Sequence, residues 1–158
     1  MLFYQPLGIP RMTTDTQTDF RHRIEVGTDD IDHMGHVNNA VYLKWVQAAV
    51  IAHWRSFAPV EDLQRYLWIA RTHEIRYHRP GFLGDSVAAV LRIESVRGAV
   101  AAYRTLVEVE GRQLAAVRST WCCIDALTRR PVRIPARIIA LFGLGQDGAQ
   151  AFAPEALA

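Results

Sequence analysis

Residues 28–45, TDDIDHMGHVNNAVYLKW, place three aspartates, two histidines and two asparagines directly before an apolar run. A helix beginning near Asn39 leaves first-turn N–H groups, among them those of Val41 and Tyr42, without intrahelical acceptors. Asn38 and Asn39 both suit the N-cap. Such donors, with the positive end of the helix dipole, form a site for developing negative charge, as on the oxygen of an attacked carbonyl. Asp32 lies just upstream, and Gly35 permits either a tight turn or the close approach of a ligand. A carboxylate facing a helix N-terminus suits acyl transfer, with a nucleophile or base on one side and an oxyanion site on the other. His36, Asn38 and Asn39 either orient Asp32 or the substrate, or satisfy the backbone of the loop. The plainer alternative is that the aspartates cap and solvate the loop, as is expected of Asp29 and Asp30. His33 and His36 form a His-x-x-His pair, a weak metal pattern on its own.

The elements that must position these residues read as one strand, one helix and four more strands. FRHRIEVG alternates, with Phe20, His22, Ile24 and Val26 on one face and Arg21, Arg23 and Glu25 on the other. From Ala40 to about Trp54 apolar residues cover most of the helical wheel, interrupted by Lys44, Gln47 and His53, so the helix is expected inside something. Pro59 can open a short second helix in APVEDLQRYL. Four strands follow as a meander: WIARTHEIRYHRP, SVAAVLRIESV, AVAAYRTLVEVE and RQLAAVRSTWCCID, with IPARIIALFG as a closing helical turn. A single sheet buries such a helix only by curling around it or by gaining a second layer. The expectation is an α+β domain over 19–143, a curved antiparallel sheet wrapped on a central helix, with a partner subunit. Residues 1–18 and 144–158 read as a loose extension and a loose tail, and Met12 offers an alternative start.

Composition narrows the functional classes. The chain has 158 residues, half of them apolar, and a net charge of +2. Seventeen arginines and one lysine, Lys44, are scattered, so no nucleic-acid-binding run emerges. Arg97, Arg129 and Arg130 at predicted turns are candidates for phosphate contacts, or ordinary surface residues. Cys122 and Cys123 are adjacent, a spacing poorly suited to an ordinary disulfide. The start of the chain does not read as a signal peptide, and the apolar helix is too short to span a membrane. A cytoplasmic protein is expected. Trp45, Trp54 and Trp68 read as core or subunit interface. His73 and Glu74 are neighbours in a strand and face opposite ways, so one of them either borders an acyl pocket or takes an ordinary exposed position on the sheet.

The run Asp30-x-Asp32-x-x-Gly35-His36-Val37-Asn38-Asn39-x-x-Tyr42 resembles the signature of hotdog-fold acyl-CoA thioesterases of the 4-hydroxybenzoyl-CoA thioesterase type. IRYHRPGFLGD is similar to that family's strand-ending Tyr-x-x-Pro and Gly-Asp turn, and TRRPVRIP extends the likeness, which covers roughly residues 20–139. The resemblance implies a hotdog fold of about five strands around a long helix. It also implies hydrolysis of an acyl-CoA, with Asp32 as nucleophile or as base for water and the Tyr42 N–H polarising the carbonyl. His36 and Asn39 join these as catalytic candidates; Gly35, Asn38 and Glu74 are the substrate-binding candidates. No cofactor or metal is required, since a thioester is already activated, and a homodimer or homotetramer is expected. HVNN also resembles acyl-carrier-protein thioesterases with an Asp-x-Asn-x-His run, but Met34 replaces the asparagine. Hydration of an enoyl thioester lacks its expected Asn-Pro pair. A non-catalytic acyl-thioester-binding protein is the remaining alternative.

Overall fold

Alternation builds the first strand: in the computed structural model, which describes residues 19–144, β1 (Phe20–Glu25) turns Phe20, His22 and Ile24 inward and Arg21, Arg23 and Glu25 outward. There follow α1 (Asn39–Phe57), α2 (Val60–Arg65), β2 (Tyr66–Tyr77), β3 (Ser86–Arg97), β4 (Val100–Val109), β5 (Arg112–Asp125) and α3 (Ala136–Leu141). The loose segments expected at 1–18 and 144–158 lie outside the described residues, apart from Leu144, which packs on the core.

The five strands form one antiparallel sheet in the order β1-β3-β4-β5-β2. This is the α+β hotdog arrangement, a curved sheet on a long helix. The expected four-strand meander holds only for β3, β4 and β5, because β2 pairs with β5 and forms the far edge. Residues 78–85 therefore cross the end of the sheet. Two intervening strands put β2 and β3 roughly 14 Å apart, well within the reach of eight residues. This crossover runs under the start of α1, where it holds the candidate site.

The core lies between α1 and the inward side of the sheet. Tyr42, Trp45, Val46, Ala49, Val50 and Trp54 of the helix meet Leu91, Ile93, Tyr103, Val107, Val117 and Trp121. Each large apolar side chain buried there contributes about 1.5–3 kcal/mol. The opposite stripe of the helix, including Ala40, Lys44, Gln47, Ala48 and Arg55, is exposed. A helix that reads as apolar nearly all round is thus covered on one broad face, because a single sheet reaches only one side of it.

The C-terminal end of α1 is closed by aromatic packing. Trp54 lies 5.5 Å from Trp68 and 5.5 Å from Phe57, and Phe142 touches all three. Trp45, Trp54 and Trp68 therefore act as core residues in the folded chain. Nearby, buried Asp62 of α2 is held by a forked ion pair with Arg137 of α3, one arm at 2.6 Å. That guanidinium keeps the Asp62 carboxyl below the usual carboxylate range. Cys122 and Cys123 are both free and buried, and burial pushes the Cys123 thiol up to about 12.

Candidate active site

The polar loop before α1 is a small hairpin. Ile31 and Val37 form an antiparallel bridge, the Asp32 N–H donates to the His36 carbonyl at 3.0 Å, and the Gly35 N–H donates to the Asp32 carbonyl at 3.0 Å. Gly35 sits at the tip with φ +82°, a conformation that side chains other than hydrogen disfavour. A Cβ there would meet nothing within 4 Å, so the turn, and not close approach of another group, explains this glycine. The Asp32 Oδ1 accepts from the Met34 N–H at 2.9 Å, which fixes the carboxylate on its own loop. Its side chain is 18% exposed, and Oδ1 stands 3.9 Å from the His36 Nδ1, close enough for charge to be felt and too far for a hydrogen bond.

The hairpin's second arm runs straight into the helix. Asn38 is the N-cap: its Oδ1 accepts from the Ala40 N–H at 2.9 Å and its carbonyl from the Val41 N–H at 2.9 Å. The Val41 N–H is therefore not free, contrary to the expectation from helix geometry alone, because the first turn is tightened to a three-residue bond. The Asn38 Oδ1 is held by the cap, and no bond from its Nδ2 is seen among the described residues. Asn39 is exposed, and its carbonyl accepts from the Tyr77 hydroxyl at 2.7 Å.

The crossover holds this arrangement from below. The Gly81 carbonyl accepts from the Val37 N–H at 2.8 Å, and the Gly81 N–H donates to the Tyr42 hydroxyl at 3.2 Å. Tyr42 is buried, which raises its phenol pKa, and its ring meets that of Tyr77 edge-on at 5.3 Å. The Asp85 carboxylate accepts from the Phe82 N–H at 2.8 Å and closes the turn. The YHRPGFLGD segment thus ties the end of β2 to the helix start. Sequence spacing assigned no role to Tyr77 or Gly81, although both stand in that run. A Cβ on Gly81 would come within 3.2 Å of Leu114 and Val37 and 3.3 Å of the Tyr42 oxygen. Gly81→Ala is expected to cost about 1–3 kcal/mol by overpacking. It should also displace Val37 and the Asp32 hairpin; thermal melting and activity assays on the same preparation check both.

Asp32, Gly35, His36, Asn38, Asn39 and Tyr42 are therefore gathered at one end of α1, and Glu74 is not among them. Glu74 is exposed and lies directly opposite Arg118 on β5, whereas His73, Ile75 and Tyr77 face the helix. Alternation along the strand puts Glu74 on the outer surface of the sheet, away from the loop. Arg97, Arg129 and Arg130 lie where β3 and β5 end, beside the start of β2, and the hairpin sits where β2 finishes. Twelve strand residues separate those ends by roughly 35–40 Å. Among the described residues, no group of three or more His, Cys, Asp or Glu side chains is placed to hold a metal. No helix among them is long and apolar enough to cross a membrane.

Known proteins are similar to this chain in sequence and architecture. A family model described as the thioesterase-like superfamily matches residues 26–142. The acyl-CoA thioester hydrolase YbgC of Escherichia coli is 26% identical over 129 residues, covering 79% of this chain and 96% of its own. A thioesterase from Thermus thermophilus, solved with coenzyme A and zinc, is 28% identical with a TM-score of 0.67, over 79% of this chain and 95% of that one. A 1,4-dihydroxy-2-naphthoyl-CoA thioesterase from Synechocystis is 16% identical with a TM-score of 0.67, over 80% and 96% of the two chains, a likeness of fold alone.

Proposed function

The chain belongs to the thioesterase-like superfamily, and from that membership we propose that it hydrolyses an acyl-CoA thioester to the free carboxylic acid and CoA. The observation that carries the reading is the Asp32 carboxylate, anchored through one oxygen by the Met34 N–H in the hairpin that leads directly into α1. In the general-base form, Asp32 takes a proton from water as the water oxygen bonds to the thioester carbon. The carbonyl oxygen becomes an oxyanion, stabilised by the Tyr42 N–H and the helix dipole. Its collapse breaks the C–S bond, and the thiolate leaves and takes up a proton. In the nucleophilic form, the carboxylate oxygen attacks the thioester carbon, and the C–S bond breaks with the CoA thiolate leaving and taking up a proton. Water then cleaves the resulting mixed anhydride to free acid and regenerated Asp32. The His36 ring stands beside Asp32, its Nδ1 3.9 Å from Oδ1, while Asn38 and Asn39 shape the helix start.

A second copy completes the site in this reading. β2 is a 12-residue edge strand whose outer side has no neighbour within the described chain. Long bare edges favour strand pairing, which would bring a second copy of this chain alongside β2. The reading is tested with CoA thioesters of short, medium, long and aromatic acids, following the free acid by mass. Turnover of one group names the substrate class; no product from any of them, nor from acyl-carrier-protein thioesters, removes the hydrolase reading.

A further inference from the structure

The sequence scatters its arginines, but the fold gathers a group of them at the end of the sheet far from the hairpin. β3 ends at Arg97, β5 ends at Asp125, and β2 begins directly after Arg65. The chain from Arg129 to Ile134 crosses these ends. There the Arg130 carbonyl accepts from the Asp125 N–H at 3.0 Å, and the Gly98 carbonyl accepts from the Ile134 N–H at 2.9 Å. The Arg65 carbonyl accepts from the Ala126 N–H at 2.8 Å. Arg65, Arg97, Arg129, Arg130 and Arg133 are all exposed, and the strands from β3 to β2 that frame them span roughly 14 Å. Residues 126–144 contain no aspartate or glutamate. The Asp125 Oδ1 accepts from the N–H groups of Leu127 and Thr128, and Asp62 is held by Arg137.

A second feature of this end is independent of charge. Leu127, in the turn after β5, is 91% exposed, more than any other large apolar side chain among the described residues. The turn is built to hold it out: Asp125 takes the N–H groups of Leu127 and Thr128, and Arg129 follows with φ +59°, a region that residues other than glycine rarely adopt. Such backbone persists where its surroundings hold it, and it marks functional segments. Guanidinium forks suit phosphate groups, and a leucine among cations suits the boundary between headgroups and acyl chains. We propose that this end of the molecule docks on an anionic lipid surface, with the arginines on lipid phosphates and Leu127 entering the interface. A polynucleotide fits less well. Single strands are held by stacking on aromatic rings, whereas Tyr66 is buried, Trp68 is packed on the core, and the exposed Ile69, Leu127 and Leu141 are aliphatic. Docking leaves the Asp32 hairpin roughly 35–40 Å from the lipid and does not depend on the hydrolase reading.

The test is sedimentation of the full chain with vesicles of phosphatidylcholine alone and of equimolar phosphatidylcholine and phosphatidylglycerol. Wild type should sediment with the anionic vesicles only, and less as salt is raised. Each arginine near an anionic surface corresponds to about fivefold in partitioning. Arg130→Gln combined with Arg133→Gln should therefore weaken binding by about 25-fold, and Leu127→Ser should weaken it severalfold. These side chains are exposed, so melting temperatures should match wild type. Binding to neither kind of vesicle, or to both equally, overturns the docking. Equal binding by wild type and the double arginine variant overturns it too. A loss in the arginine variant with none in Leu127→Ser also overturns the lipid surface and leaves a general polyanion contact, which a single-stranded oligonucleotide in place of vesicles would then show.

Discussion

Asp32→Asn is expected to lower kcat for thioester hydrolysis by about 10²–10⁴-fold, the range for removal of a positioned acid or base, while the fold is kept. The asparagine Oδ1 can still accept from the Met34 N–H, which the Asp32 Oδ1 does at 2.9 Å. The hairpin closed by the Asp32–His36 and Gly35–Asp32 backbone bonds does not involve the carboxylate. What the substitution removes is the capacity to take a proton or attack carbon. Circular dichroism and the melting temperature should match wild type within a few degrees. An equal loss of turnover with a large fall in melting temperature would instead mark Asp32 as a loop-forming residue.

The second large effect concerns stability. His53 of α1 is packed within 5.1 Å of Phe20 and 5.0 Å of Phe57 by ring centres, and its Nδ1 lies 3.3 Å from the Tyr103 hydroxyl. Burial lowers its pKa from 6.5 to about 4, since a charged imidazole is disfavoured among these rings. Between those two values the unfolded chain binds a proton that the folded chain refuses. The contribution of His53 is thus complete above pH 6.5, declines as the pH falls, and is exhausted near pH 4. Over that window the loss amounts to about 3 kcal/mol. Urea melts at pH 7, 6 and 5 should show His53→Phe losing less stability on acidification than wild type. Parallel pH dependences would show that His53 does not carry the effect.

Both residues stand in segments whose local pattern could be read from sequence, but their surroundings could not be read equally well. The Asp32 loop was recognisable from residue types and spacing because capping, tight turns and helix starts are local events. The same is true of β1, β5 and the short helix after Pro59, whose alternation or punctuation is unambiguous. The neighbour of β2 was not legible, because alternation identifies a strand without naming its partner; the 78–85 crossover had to be seen. Nor was the face of Glu74. The register of β2 against β5 shifts between Ala70 and Thr72, so Trp68 and Ala70 face the helix and so do His73, Ile75 and Tyr77. One extra residue in the strand reverses which of His73 and Glu74 points inward, and nothing in the local sequence announces it. The exposed stripe of α1 escaped for a related reason: alanines at 40 and 48 count as apolar on a helical wheel, yet they need no cover.

The central claim, that the Asp32 hairpin is the reacting end of a thioester hydrolase, is tested most directly by thiol release from a panel of acyl-CoAs with wild type and Asp32→Asn side by side. A substrate-free blank corrects for Cys122 and Cys123. The account predicts that wild type turns over at least one acyl group and that the variant, equally folded, does so at least a hundredfold more slowly. Equal rates for the two proteins on the preferred thioester would contradict it.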